Sequence, residues 1–229
     1  MDSHTGPLRP TPETSADDLP APGVLATARS ADVRGTGAAG APPAGPDAEE
    51  RILAAAYGLF SRRGIRDVGV TELIDTAGVA KATFYRHFRS KDDVVLAFLA
   101  RRDQLWTLEQ IIAGARARGT TPTQQLLAIF DVFADWFARE DFEACTFINV
   151  LLEMGSGHRL GRASIDYLAR IRGHVRALAE EAGLDRADEF ARSWHILMKG
   201  SIISAAEGDA DAAARARQMA GWLIEHHQP

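Results

Sequence analysis

Residues 71–88 read TELIDTAGVAKATFYRHF, and this stretch decides the fold of the chain. Thr71 begins a short predicted helix, Gly78 lies in a tight turn, and a second short helix continues as far as Phe88. Phe84 and Phe88 are spaced to share one face of that second helix, so they pack inward and leave the opposite face exposed. Two short helices joined by a glycine-containing turn predict a helix-turn-helix, whose second helix can enter the major groove of DNA.

The positive charge of this region is local. Gly78–Lys91 contains four basic residues and no acidic one, whereas the whole chain has a formal net charge of −5. Attraction to phosphate is therefore confined to one surface. An acidic remainder excludes a protein that coats nucleic acid nonspecifically. From charge alone, a solvated helix face remains the alternative.

The exposed side chains of the second helix suit contacts with DNA. Lys81 can donate to a guanine edge or a phosphate, and Ala82 and Thr83 can meet a thymine methyl group. Tyr85 and His87 can donate to phosphate oxygens. These residue types favour a DNA-reading surface over a solvated face.

Helix N-termini add further anion sites. Thr71 and Ser90 are predicted N-caps, and Lys91 lies beside the second of them. Phosphates are therefore expected at both positions.

The run TELIDTAGVAKATFYRHFRSKDD at residues 71–93 closely resembles the signature of TetR-family repressors. The preceding Arg51–Gly64 segment is similar to the first helix of that family, and the resemblance extends over roughly Glu49–Phe98. It implies two groups of DNA-binding residues, namely Thr71, Tyr85, His87 and Lys91 on phosphates, and Lys81, Ala82 and Thr83 on base edges. Many members of the family have glycine where this chain has Ala82, whose methyl group leaves less room for close approach of the backbone.

The chain is predicted to be all-α, with three parts. Met1–Pro46 holds eight of the ten prolines and is predicted to be a disordered extension. Residues 47–95 are expected to form a three-helix helix-turn-helix domain. By the resemblance, residues 96–229 form a helical domain for effector binding and dimerisation.

Capping residues and apolar periodicity place the individual helices. Asp47, with Glu50 in a capping-box position, begins the first helix and Gly64 ends it. Ser90 caps a long helix over Lys91–Arg118. The remaining helices are expected at Pro122–Glu140, Ala144–Glu153, Leu160–Ala182, Arg186–Ala206 and Ala210–His226.

Aromatic and polar residues are interleaved in the regulatory half. Pockets for small molecules are mostly apolar, with a few convergent polar groups. The candidate effector pocket consists of Trp106, Phe133, Trp136, Phe137, Phe147, Asn149, Trp194, His195 and Met198. An ordinary hydrophobic core remains the alternative for these residues.

Small residues in the last two helices allow other helices to approach closely. Pairing Arg186–Ala206 and Ala210–His226 from two subunits would form a four-helix homodimer interface. An intramolecular core is the alternative, and two-fold reading of an operator favours the dimer.

Enzyme and metal functions find no support in the sequence. Gly155–His158 lacks the preceding strand of a nucleophile elbow, and the histidines lack the spacing of zinc ligands. No cofactor is expected. No apolar run is long enough to span a bilayer, and the single Cys145 is consistent with a reducing cytoplasm. We therefore expect a cytoplasmic protein that associates with the nucleoid when bound to DNA.

The resemblance completes the functional hypothesis. A homodimer would bind a palindromic double-stranded operator as a repressor, and a small hydrophobic or aromatic effector would release it. A ligand-independent or activating member of the family, and a helical protein-binding module, are the alternatives.

Overall fold

The computed structural model describes residues 47–229, and this part of the chain is helical without a β-strand. The all-α prediction is confirmed. The extension predicted over Met1–Pro46 lies outside the described residues.

The first three helices are short and end at identifiable residues. They are α1 (Ala48–Arg63), α2 (Val70–Ala77) and α3 (Lys81–His87). Asp47 caps α1 by accepting the backbone N–H of Glu50 at 2.8 Å. The reciprocal bond of a capping box is not made, because the Glu50 carboxylate pairs with Arg101 instead. Gly64 ends α1 as predicted.

The predicted N-cap at Thr71 is wrong. Gly69 occupies the N-cap position of α2, and Thr71 lies in the first helical turn. Glycine supplies no side-chain acceptor for the first N–H groups of α2, although its extended conformation suits the position. Threonine is a favoured N-cap residue, but the helix begins at Val70, one residue before Thr71.

The long helix predicted over Lys91–Arg118 begins and ends at those residues, but its middle segment is π-helical, which the sequence did not predict. It consists of α4 (Lys91–Arg102), a π-helical segment (Asp103–Ile112) and α5 (Ala113–Arg118). Ser90 caps it, accepting the N–H of Asp93 at 3.2 Å. The predicted boundary between residues 95 and 96 falls inside α4, so the two proposed domains share one continuous helix.

Five further helices complete the described part of the chain. They are α6 (Pro122–Phe137), α7 (Thr146–Met154), α8 (Arg159–Glu181), α9 (Ala187–Ala206) and α10 (Ala212–His226). Thr121 and Gln124 form a complete capping box at the start of α6, whose end at Phe137 precedes the predicted Glu140.

The packing joins the N-terminal helices to the rest through α4. Helix α1 packs against α2, α3 and α4, while α4 also contacts α7 and α8. Helix α6 packs against α5, α8 and α10, and α9 lies between α8 and α10. Phe98 of α4 is buried and contacts the ring of Phe60 in α1, with ring centroids 5.9 Å apart. This hydrophobic core fixes α4 against the helix that supports the helix-turn-helix.

Candidate DNA-binding surface and internal cavity

The turn between α2 and α3 depends on Gly78. Its φ of 60° and ψ of 39° lie in the left-handed region, which glycine adopts without strain. Its N–H donates to the carbonyl of Asp75 at 3.1 Å. Arg51 of α1 donates from Nη1 to the Gly78 carbonyl at 3.2 Å. The turn is thereby held against α1.

Helix α3 presents one buried and one exposed face. Phe84 is completely buried and Phe88 is nearly so, as their spacing predicted. Lys81, Ala82 and Tyr85 are exposed on the other face, together with Arg86 and His87, whereas Thr83 is half-buried. The structure therefore brings the predicted contact residues of α3 to one accessible surface.

Tyr85 and His87 each lie next to one identifiable side chain. The Tyr85 side chain is 46% exposed, and its ring meets that of Phe84 edge-on with centroids 5.3 Å apart. His87 Nδ1 lies 3.6 Å from the Glu49 carboxylate of α1. The Tyr85 hydroxyl is thus carried on a ring that the core supports.

Lys91 has a structural role that its charge did not reveal. Its Nζ donates to the carbonyls of Ile65 at 2.8 Å and Val68 at 3.0 Å, both in the loop between α1 and α2. An ammonium group has three N–H donors, so one donor remains for a phosphate. Thr71, the other predicted phosphate contact outside α3, is exposed in α2.

The same loop is held from its other side by a residue of the regulatory half. The Glu153 carboxylate, near the end of α7, accepts the backbone N–H of Ile65 at 2.9 Å and that of Arg66 at 2.6 Å. Sequence analysis missed this contact, because nothing local distinguishes Glu153 from an ordinary surface glutamate. Lys91 and Glu153 together clamp the loop that leads into α2.

Some of the predicted pocket residues surround one small internal cavity. Its volume is about 30 Å³, and it lies between the π-helical segment, α6, α7, α8 and α9. The predicted residues that line it are Trp106, Phe133, Trp136, Phe147, His195 and Met198. Arg102, Cys145 and Lys199 also line it, although the sequence analysis did not include them.

The structure places the other three predicted pocket residues outside this cavity. Asn149 borders a separate cleft of about 220 Å³ that is also lined by Phe98 and Glu153. Trp194 is fully buried, and its ring lies 5.3 Å from that of Phe130. Phe137 packs against Phe133 and Phe142 without lining the cavity. Each of these three residues lies on a helix that lines the cavity with other residues, but its own side chain is on a different face of that helix.

Burial controls the protonation of the polar groups at the cavity. Desolvation, together with the positive charges of Lys199 and Arg172, lowers the pKa of His195 to about 3, so the imidazole is neutral. Desolvation also lowers the pKa of Lys199, and the nearby Arg172 adds to that effect. Burial raises the pKa of the Cys145 thiol, which keeps it protonated.

Large apolar side chains remain exposed on the last two helices. Ile196 and Ile203 of α9 are 69% and 45% exposed, and Met219 and Trp222 of α10 are 47% and 57% exposed. The two helices pack against each other, so these side chains belong to neighbouring elements. Within residues 47–229, no helix combines the length and the apolar character that a membrane crossing requires.

Comparison with known sequences matches residues 52–98 to the model for bacterial regulatory proteins of the tetR family. The chain is 31% identical over 186 residues to the HTH-type transcriptional regulator BetI of Brucella anthropi, covering 80% of this chain and 92% of that protein. It is 33% identical over 93 residues to the HTH-type transcriptional activator FasR of Mycolicibacterium smegmatis, covering 39% of this chain. This second match spans only 40% of the length of FasR.

The fold also matches solved structures. A TetR-family transcriptional regulator from Streptomyces coelicolor superposes with a TM-score of 0.72 at 24% sequence identity. The match covers 80% of this chain and 96% of the Streptomyces chain. The shared architecture therefore includes both the helix-turn-helix and the helices that follow it.

Proposed function

Because this chain belongs to the TetR family of bacterial regulatory proteins, and is therefore a DNA-binding transcriptional regulator and not an enzyme, we propose that it is a repressor. In this proposal a homodimer binds a palindromic operator, and a small-molecule effector releases it. Residues 47–95 read the DNA, and residues 96–229 carry the effector site and the dimer interface.

The observation that carries the DNA-binding proposal is the exposed face of α3. It offers Lys81, Ala82 and Thr83 to base edges, and Tyr85 and His87 to phosphates. Phe84 and Phe88 anchor the opposite face in the core. Thr71 and Lys91 add phosphate contacts at the edges of this surface.

The dimer proposal is supported by the apolar side chains left exposed on α9 and α10. Ile196, Ile203, Met219 and Trp222 would be buried if the two helices packed against the same helices of a second copy. A two-fold dimer of helix-turn-helix domains reads half-sites about 34–36 Å apart, one turn of DNA. Operator palindromy then follows from the symmetry of the protein.

Helix α7 offers a physical connection between effector and DNA. Its first residues, Thr146, Phe147 and Ile148, line the internal cavity. Glu153, near its other end, holds the loop before α2. A hydrophobic or aromatic effector that shifts α7 would therefore move the loop. A coupling free energy of about 1–3 kcal/mol would weaken operator binding about 5- to 150-fold.

The decisive experiment is selection of bound fragments from a pool of genomic DNA by the purified protein, followed by salt titration of the selected duplex. A palindromic motif and a steep fall in affinity with rising salt are expected, because phosphate contacts release counterions. Failure to enrich any motif would contradict the proposal and favour a helical protein-binding module. A reporter gene behind the selected sequence then distinguishes repression from activation.

The small volume of the cavity favours one alternative, a family member that acts without a ligand. About 30 Å³ accommodates one water molecule and no organic effector. A repressor whose operator affinity is unchanged by every compound that binds it would support this alternative. The effector proposal instead requires that the cavity opens.

A further inference from the structure

The internal cavity is bordered by three basic side chains and by no acidic one. Arg102, His195 and Lys199 line it, and the rest of its wall is apolar or aromatic apart from Cys145 and Thr146. Arg102 and Lys199 are half-buried, and a charge that is partly withdrawn from water favours an opposite charge nearby. No acidic side chain of the cavity wall supplies that charge.

No ion pair within 4 Å involves Arg102, Lys199 or Arg172 among residues 47–229, although Asp141, whose pKa is lowered mainly by Arg139, is also near enough to feel the charge of Arg102. Arg102 contacts the Tyr57 hydroxyl at 3.4 Å and lies over the ring of Trp106, while its buried Nε has no hydrogen-bond partner within that range. Lys199 faces Arg172 and the Cys145 thiol. Arg172 itself donates to the carbonyl of Leu168, which carries no charge.

His195 provides an independent sign of a missing ligand. It is only 3% exposed, it lines the cavity, and its Nδ1 has no hydrogen-bond partner in the described part of the chain. A buried polar atom without a partner is unfavourable, so a ligand that accepts a hydrogen bond from Nδ1 would remove this penalty. In the tautomer with a proton on Nδ1, His195 can donate to an acceptor in the cavity.

The orientation of α7 adds to the positive potential. This nine-residue helix begins at Thr146, and its first turn forms part of the cavity wall. The N-terminus of a helix carries the positive end of the helix dipole. Arg102 and Lys199 both act on the thiol of Cys145, the residue that precedes α7, so the positive groups converge there.

We propose that the effector is an organic anion, a carboxylate joined to an aromatic or aliphatic body; this inference rests on the proposed function. The carboxylate lies against Lys199, His195 and the N-terminus of α7. The body lies between the aromatic rings of the π-helical segment and α6. An anion of this kind supplies both the missing charge and the missing acceptor.

Binding must open the cavity, and we expect it to open between two tryptophan rings. Trp106 of the π-helical segment and Trp136 of α6 have ring centroids 4.5 Å apart, and both line the cavity. Since the free volume is about that of one water molecule, the body of the ligand has to separate these rings. Their fluorescence therefore reports binding directly.

The test compares carboxylic acids with their uncharged amides. Benzoate, 2-naphthoate and octanoate are each titrated into the full-length protein beside benzamide, 2-naphthamide and octanamide, and tryptophan fluorescence and the melting temperature are recorded. At least one acid is expected to bind about tenfold or more tightly than its amide, because a charge-assisted hydrogen bond contributes about 1.5–3 kcal/mol.

Two variants and one control assign the preference to the cavity. Lys199→Gln and Arg102→Gln are each expected to reduce the preference for the acid severalfold, with helical circular dichroism retained. Arg192→Gln is the control, because Arg192 lies on the same helix as Lys199 but is exposed and pairs with Asp188. It should leave the preference unchanged.

The outcomes separate this inference from the proposed function. If every acid binds no better than its amide, or if neither cavity variant changes the preference, the inference is overturned. DNA selection is carried out without ligand, so its success leaves the regulator proposal standing even in that case. Acid preference in a protein that selects no DNA would overturn the proposed function while retaining an anion-binding cavity.

Discussion

The Glu153 carboxylate accepts the backbone N–H of Ile65 at 2.9 Å, although the two residues are 88 positions apart in the chain. It also accepts the N–H of Arg66, and Lys91 donates to the Ile65 carbonyl from the opposite side. The loop before α2 is therefore hydrogen-bonded to both α4 and α7. Helix α7 in turn begins at the internal cavity. Helix α7 thus extends from the internal cavity to the loop before α2, the two places that the proposed regulation connects.

Replacing Glu153 by glutamine should loosen this loop. The amide oxygen can accept one N–H, but its NH₂ group cannot accept the second, so a backbone donor is left without its charged acceptor. We expect a loss of about 1–3 kcal/mol in the free energy of unfolding and weaker operator binding. Urea unfolding and a mobility-shift assay measure the two effects. Glu180→Gln is the control, since Glu180 is an exposed residue of α8 that pairs with Arg176; equal effects of both substitutions would contradict the clamp.

Tyr85→Phe should weaken operator binding while leaving the fold intact. The ring keeps its edge-on contact with Phe84, and only the hydroxyl that would donate to a phosphate is lost. A hydrogen bond to a charged phosphate contributes about 1.5–3 kcal/mol, so a Kd weaker by about tenfold or more is expected, with a larger loss for Tyr85→Ala. Leu152→Ala, at an exposed position of α7, is the control for nonspecific effects. Unchanged binding of both Tyr85 variants in a mobility-shift assay would remove this residue from the proposed surface.

The sequence predicted features that depend on local interactions. Phe84 and Phe88 are buried because helical spacing places them on one face, and Ser90 and Thr121 cap helices by bonds to nearby backbone groups. Gly78 ends α2 because the left-handed conformation favours glycine. Each of these interactions spans only a few residues.

Features that depend on packing between distant segments could not be predicted in this way. The spacing of Phe133, Trp136 and Phe137 is that of one helix face, but the neighbouring helices decide that, of these three, Phe133 and Trp136 line the cavity. Asn149 lies one turn beyond Cys145, which lines the cavity, and it borders a different cleft. The contact between Glu153 and Ile65 leaves no local signal in either segment.

Gly161→Ala should destabilise the protein severely. A Cβ atom at this position of α8 would lie 1.9 Å from the carbonyl oxygen of Gly155, and a backbone atom cannot move aside as a flexible side chain can. We expect a loss of about 3 kcal/mol or more, at the upper end of overpacking effects. Gly173→Ala, in the same helix with no atom within 4 Å of the new Cβ, should instead stabilise by about 0.5–1 kcal/mol. Thermal unfolding of both variants checks the opposite signs, and a stable Gly161→Ala protein would contradict the close approach.

His195 should make stability depend on pH below about 6.5. Its pKa is lowered to about 3 in the folded protein, by desolvation first and by Lys199 and Arg172 second, whereas the unfolded chain has the ordinary value of 6.5. Between these values the unfolded chain binds a proton that the folded protein does not. His195 therefore does not change the free energy of unfolding above the unfolded-state pKa of 6.5. As the pH drops below 6.5, the free energy of unfolding falls.

The expected loss from His195 is about 1.4 kcal/mol for each pH unit below 6, and it should be missing in His195→Gln. Urea unfolding at pH 7.5 and pH 5 measures the difference between the two proteins. Gln has no titrating group. The free energy of unfolding of the variant, taken relative to that of the wild type, should therefore be larger at pH 5 than at pH 7.5. A constant difference between wild type and His195→Gln at both pH values would contradict the prediction.

The proposed dimer interface can be tested at its most exposed apolar residue on α9. Ile196 is 69% exposed in a single chain, so Ile196→Glu should leave the fold of the monomer intact. In a dimer the same side chain would place a carboxylate against apolar groups of the second copy, where an unpaired charge is strongly unfavourable. We therefore expect Ile196→Glu to sediment as a monomer and to lose operator affinity, because a single subunit reads only one half-site. Leu152→Glu is a matched control, since Leu152 is 77% exposed on α7, a helix that is not part of the proposed interface. A dimeric Ile196→Glu protein with wild-type operator affinity would exclude this face of α9 from the interface.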